Sequence, residues 1–151
     1  MTKVLETRWA LRALGLAREI AGWSKDPSSQ VGAIIFRPDK TIAALGYNGF
    51  ARGVADTPGR LSDRDVKLAL MIHAEQNAIL NCRDNNLMGY ALAVWPLPPC
   101  AHCASLIIQA GIRQVIAPND IPPARWLDNM HLAETILTEA GVTITKLPTG
   151  G

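Results

Sequence analysis

The sequence has few aromatic residues, an odd number of cysteines, little net charge and no long apolar run. Each shortage excludes something. Three cysteines cannot close a full disulfide framework, so the thiols are expected to be reduced and free to bind metal, in a cytoplasmic setting. A net charge of +2 gives no basic footprint for nucleic acid, and 5% aromatics supply little for a base-stacking channel. No nucleic-acid partner is therefore expected. The opening run "MTKVLETRWALRALGLAREI" carries charges throughout and lacks the apolar core of a signal peptide. No later run is long enough to span a bilayer, so no membrane partner is expected either. Internal repeats and low-complexity tracts are absent as well. What is present is a globular balance, 48% hydrophobic and 19% charged over 151 residues, which suits one domain spanning 1–151.

The pattern along the chain predicts alternating elements. Residues 2–22 read as an amphipathic helix with Val4, Trp9, Leu11, Leu14, Leu16, Ile20 and Ala21 on one broad apolar side. "GWSKDPSS" is a loop, with Gly22 a C-cap and Pro27 just beyond it. "QVGAIIF" and "TIAALGYN" form a strand pair turned by "RPDK", and residues 49–64 form a loop rich in Gly, Pro and charge. One helical stretch is expected through "DVKLALMIHAEQNAILNC". Then come the strand "YALAVWPL", the helix "PPCAHCASLIIQAG", the strand "RQVIAP", the helix "ARWLDNMHLAETILTEAG" and the strand "VTITKL". Helices alternating with strands in the second half predict parallel crossovers and an α/β layered sheet, with the opening hairpin as an antiparallel edge pair.

The chemistry concentrates in two short runs. In "PPCAHC", Cys100 and Cys103 stand three apart at a helix start, where two prolines fix the entry and the helix N-terminus favours thiolates. Alone, this spacing fits a redox pair as well as a metal site. In "HAEQNAI", His73 and Glu75 are two apart, so in mid-helix they would point to opposite sides. That direction makes sense if an ion lies off the helix end, where both side chains reach forward. His73, Cys100 and Cys103 then give three of the four ligands zinc prefers, and the open position belongs to catalytic zinc. Glu75 is left to take the proton from water that the ion activates. His102 lies on another face and His131 within the last helix, so neither is expected to be a ligand. Cys82 reads as a small apolar residue. Asn77, one turn after His73, reads equally as support for the site or as helix surface.

"HAEQNAI" together with "PPCAHC" resembles the cytidine and deoxycytidylate deaminase superfamily. "SKDPSSQVGAII", "GYNGFARG" and "CASLIIQAGI" are similar to the deoxycytidylate deaminases within it, from Ser24 to about Ile116. The resemblance implies a three-layer α-β-α fold with a five-stranded mixed sheet of order 2-1-3-4-5. It implies a Zn2+ cofactor, a homo-oligomer (dimer or hexamer) and a small-molecule substrate, deoxycytidine monophosphate, hydrolysed at C4 to a uridylate and ammonia. On that reading Asn48 contacts a sugar hydroxyl, the Ala74 N–H holds the pyrimidine carbonyl, and Lys25 and Arg52 are candidates for the phosphate. The chain departs from the family in its short segment before "HAE", which has no second zinc set and no evident regulatory site. It departs again in the tail around Arg125 and Trp126, which could cap the pocket or belong to the core. Another nucleoside, a free or modified base, a base within RNA, and a zinc-stabilised interaction module are the competing readings.

Overall fold

The computed structural model describes residues 4–148. Its frame is one five-stranded sheet, β1 (Gly32–Phe36), β2 (Ile42–Tyr47), β3 (Ala91–Trp95), β4 (Gln114–Pro118) and β5 (Thr143–Leu147), in the order β2-β1-β3-β4-β5. The first strand runs antiparallel to both neighbours, Gly32 opposite Tyr47 on one side and Trp95 on the other. The remaining neighbours, β3 with β4 and β4 with β5, are parallel. This is the mixed sheet that the resemblance implied.

The helices are α1 (Thr7–Ala21), α2 (Pro58–Ser62), α3 (Arg64–Leu70), α4 (Ala74–Asn81), α5 (Ala101–Ala110) and α6 (Ala124–Glu139). Both parallel crossovers step the same way across the sheet, so the right-handed rule puts α5 and α6 on one face. The fourth helix joins them there. Alternation along the strands serves the two faces. Ala33, Ile35, Leu92, Val94 and Val115 face α4, α5 and α6, whereas Ile34, Phe36, Ala93 and Ile116 face α1. Full burial of each such Ile, Leu or Val is worth about 1.5–3 kcal/mol relative to exposure.

Two expectations change. The first helix begins at Thr7, and Val4, Leu11 and Leu16 are exposed. Its buried stripe is Ala10, Ala13, Leu14, Ala17 and Ile20. Small residues win because the helix axis lies close to the sheet. A β-carbon on Gly32 would stand 2.5 Å from the Ala21 amide and nearer still to the Ala17 carbonyl. The second change is at residues 65–82, where the expected single helix is two. Met71 and His73 are extended, with ψ of 126° and 155°, and Ile72 exchanges two backbone hydrogen bonds with Gly49, at 2.8 and 3.1 Å. The loop over 49–64 also contains α2, started by Pro58 and capped by Thr57, whose hydroxyl accepts from the Arg60 amide.

Candidate metal centre and active-site cavity

The break at residues 71–73 answers the spacing problem in "HAEQNAI". His73 is the N-cap of α4 and still extended, while Glu75 is the second helical residue. The two therefore do not obey helical angular spacing and can address one point ahead of the helix. Gln76 supports this turn by accepting a 2.8 Å hydrogen bond from the His73 amide, one half of a capping box.

Cys100 occupies the equivalent N-cap position on α5, and its sulfur accepts from the Cys103 amide at 3.4 Å. The Ala101 amide, orphaned at the helix start, donates to Asn129 Oδ1 at 2.8 Å, so α6 braces this turn. Two helix N-termini thus meet at one spot, each contributing partial positive charge. His73 Nδ1 lies 3.2 Å from Cys103 Sγ and 3.7 Å from Cys100 Sγ. Ligand atoms around tetrahedral zinc stand roughly 3.3–3.8 Å apart, given bonds of about 2.0–2.3 Å. The three donors fit that ion in number, kind and spacing. Among the described residues they are the one such group of three His, Cys, Asp or Glu side chains.

The electrostatics favour the thiolate at Cys100 and the protonated thiol at Cys103. Hydrogen bonding from the Cys103 thiol, and then from His73, pulls the Cys100 thiol down to about 4. The same bond, helped by burial, pushes the Cys103 thiol up. His73 is raised, chiefly by its contact with Cys100. Glu75 is 5% exposed, and burial pushes its carboxyl up to about 7. A carboxyl in that range can accept and return a proton near neutral pH.

A cavity of about 300 Å³ opens onto this site, lined at that end by His73, Ala74, Glu75 and Cys100. Ala74 is fully buried and is the first residue of α4, so its N–H has no acceptor within the helix. Asn48 also lines the cavity. Its side chain is already committed: Oδ1 accepts from the Val31 amide at 2.9 Å and Nδ2 donates to the Ser29 carbonyl at 2.8 Å. It therefore clamps the loop before β1 to the end of β2.

Lys25 and Arg52 do not line the cavity. Lys25 pairs with Asp56 at 3.1 Å with its side chain 74% exposed, and Arg52 reaches Asn81 at 3.4 Å. The cations that do line it are Arg64, Lys67 and Arg125, with Trp126 beside the last. Sequence reasoning missed the first two. The available signal was their i, i+3 placement, which puts them on one face of a short helix. His102 and His131 are exposed, and Cys82 is half-buried at the end of α4. Asn77 supports the sheet edge, donating to the Tyr47 carbonyl at 2.8 Å, while Asn81 does the same for Leu45 at 3.0 Å.

The model of the cytidine and deoxycytidylate deaminase zinc-binding region matches residues 7–118. The chain belongs to this family. It is 37% identical over 144 residues to an uncharacterized deaminase in the luxG 3′ region of Aliivibrio fischeri, covering 94% of this chain and 95% of that one. It is 38% identical over 143 residues to the deoxycytidylate deaminase of Homo sapiens, covering 91% and 79%. The fold matches that of the dCMP deaminase from the cyanophage S-TIM5 in complex with dCMP and dUMP. There the TM-score is 0.74 and the identity 23%, over 95% of this chain and all of that one. Among the described residues no helix is long and apolar enough to cross a membrane.

Proposed function

We propose that this chain is a zinc-dependent hydrolytic deaminase that converts deoxycytidine monophosphate to dUMP and ammonia. The carrying observation is the meeting of His73, Cys100 and Cys103 at two helix N-termini, with the buried Glu75 carboxyl beside them at the end of a cavity. Relatives named deoxycytidylate deaminase supply the substrate class.

His73, Cys100 and Cys103 hold the ion, which when bound supplies Lewis-acid activation of water. Glu75 takes a proton from the attacking water as its oxygen bonds to C4 of the ring. Glu75 passes that proton to N3 as the C4=N3 double bond opens, then carries the remaining hydroxyl proton to the amino nitrogen as C4=O forms, the C4–N bond breaks and ammonia leaves. One water is consumed, one amino group departs, and Glu75 ends as it began. On this reading the Ala74 N–H, free of any helical acceptor, holds the ring carbonyl, and Asn48 shapes the sugar end of the cavity by fixing the loop through Ser29 and Val31. The chain works as one domain over 1–151, in the cytoplasm, as a homo-oligomer whose size sedimentation would give.

Ammonia release from purified protein tests the reading, with dCMP, deoxycytidine, cytidine, cytosine and guanine as substrates. The highest kcat/KM is expected on dCMP. Turnover confined to a free base or a purine would overturn the substrate and leave the hydrolysis standing.

A further inference from the structure

Helices α2 and α3 carry no buried residue, yet α3 supplies one wall of the cavity. The attachment of α3 to the body is narrow. The Lys67 ammonium donates to Asp26 Oδ1 at 3.1 Å and to Ser28 Oγ at 2.5 Å, and the chain then returns to the sheet through the Gly49–Ile72 bridge. The Lys67–Asp26 pair is well enclosed, with side chains 15% and 4% exposed. Asp26 therefore already neutralises Lys67, and Asp26 and Glu75 are the acids that line the cavity.

Two cations remain. Arg64 lies in the first turn of α3 and Arg125 in the first turn of α6. Both are exposed, both line the cavity, and neither pairs with a carboxylate among the described residues. Arg125 lies over the Trp126 ring at 5.7 Å. Arg64 on α3 and Arg125 on α6 are thus unpaired guanidinium groups lining the same cavity, and an anion bound there would be attracted by both. A phosphate monoester presents three acceptor oxygens that suit the forked donors of both.

Building on the nucleotide reading above, we propose that Arg64 and Arg125 grip the substrate's 5′-phosphate from two sides. The α2–α3 segment closes as a flap over the bound nucleotide, with Lys67–Asp26 as its anchor to the body. Arg64 and Arg125 are thus the residues that select nucleotide over nucleoside.

Wild-type kcat/KM on dCMP and on deoxycytidine comes first. No preference there would overturn the nucleotide reading and this proposal with it. Given a preference, Arg64→Gln and Arg125→Gln should each lower the dCMP-to-deoxycytidine ratio by about tenfold or more, the usual scale for a lost charge-assisted contact. Calorimetric affinity for dUMP, measured against deoxyuridine, should fall by a similar factor independently of turnover. Lys25→Ala should leave the ratio unchanged. Both arginine variants keeping the wild-type ratio, or Lys25→Ala losing as much as they do, would overturn the assignment while the nucleotide reading stands. Hydrogen exchange reads the closure: dUMP should slow exchange across 58–70 in the wild type and not in Arg125→Gln. Unchanged exchange in the wild type would overturn the flap.

Discussion

Gly46 on β2 lies against Ala74, the residue between His73 and Glu75: a β-carbon on Gly46 would stand 2.7 Å from the Ala74 carbonyl oxygen. It would also press on the Asn77 carbonyl carbon at 2.8 Å, and nearer still on the Ala78 amide. The helix that presents the site therefore rests on a strand position where only hydrogen fits. Gly46→Ala should force α4 off the sheet, with an overpacking cost of about 1–3 kcal/mol. Because the site moves with the helix, kcat should also fall by roughly ten- to a hundredfold, as misplacements of the order of an ångström do. Gly32→Ala makes the comparison, since it crowds α1 on the other face and that helix carries no site residue. Comparable destabilisation with kcat per folded molecule lost only in Gly46→Ala is the expected pattern. Equal loss of kcat in both would show that Gly46 has no special bearing on the site.

Elemental analysis should find about one zinc per chain, and Cys103→Ala should purify without it, because two remaining donors bind too weakly. Chelation of the wild type should lower its melting temperature through linkage, since an ion bound to the folded state stabilises it. Retention of a full zinc load by Cys103→Ala would remove the ligand assignment.

The part of this arrangement legible in the sequence is the part made by chemistry at helix starts. His73, Glu75, Cys100 and Cys103 lie in two short runs whose residue types have few other uses together; the alternation of elements implies the α/β layering, and the strand order follows from the resemblance alone. The break between α3 and α4 was not legible. "KLALMIHAEQNAIL" is good helix sequence throughout, and what interrupts it is the pairing of Ile72 with Gly49, a tertiary contact. The buried stripe on α1 is hidden in the sequence for a related reason. Leu11 and Leu16 are more apolar than Ala13 and Ala17, but the close approach at Gly32 selects for small size. Lys25 and Arg52 adjoin recognisable motifs, whereas two of the cavity's three cations, Arg64 and Lys67, come from α3, a segment without a motif, and the third is Arg125 on α6.

Asp26 should make the stability acid-sensitive. Burial raises its pKa, but hydrogen bonds from the Ser28 and Ser29 amides and from Lys67 outweigh that and leave it lowered. A folded pKa below the unfolded value of 3.8 means the folded state binds the proton less readily. The stability it contributes is whole above 3.8 and drains as pH falls through the lower folded value. Asp26→Asn removes the charge, leaves Lys67 without its counter-ion and should cost roughly 1–3 kcal/mol at neutral pH. Urea unfolding at neutral pH and in the acid range checks both halves. The variant should be less stable at neutral pH, and its deficit should shrink in acid; a deficit constant with pH would show that the charge does not matter.

Glu75→Gln should leave the zinc load and the fold intact and remove almost all turnover. The amide has the shape of the carboxyl and fits the same buried space, where the acid is 5% exposed. Burial also lifts the carboxyl to about 7, so the uncharged side chain imposes no new desolvation cost. What the amide lacks is the ability to accept a proton. Loss of a general base typically lowers the rate by about 10²–10⁴. The upper end is expected here, because one carboxyl must serve first the attacking water and then the departing ammonia. A transition-state role also predicts that KM changes little while kcat falls. Zinc content, circular dichroism and steady-state kinetics on the same preparation separate the possibilities. Turnover within a few-fold of wild type, on protein shown to hold zinc, would take Glu75 out of the proton-transfer role and require another group in the cavity to fill it.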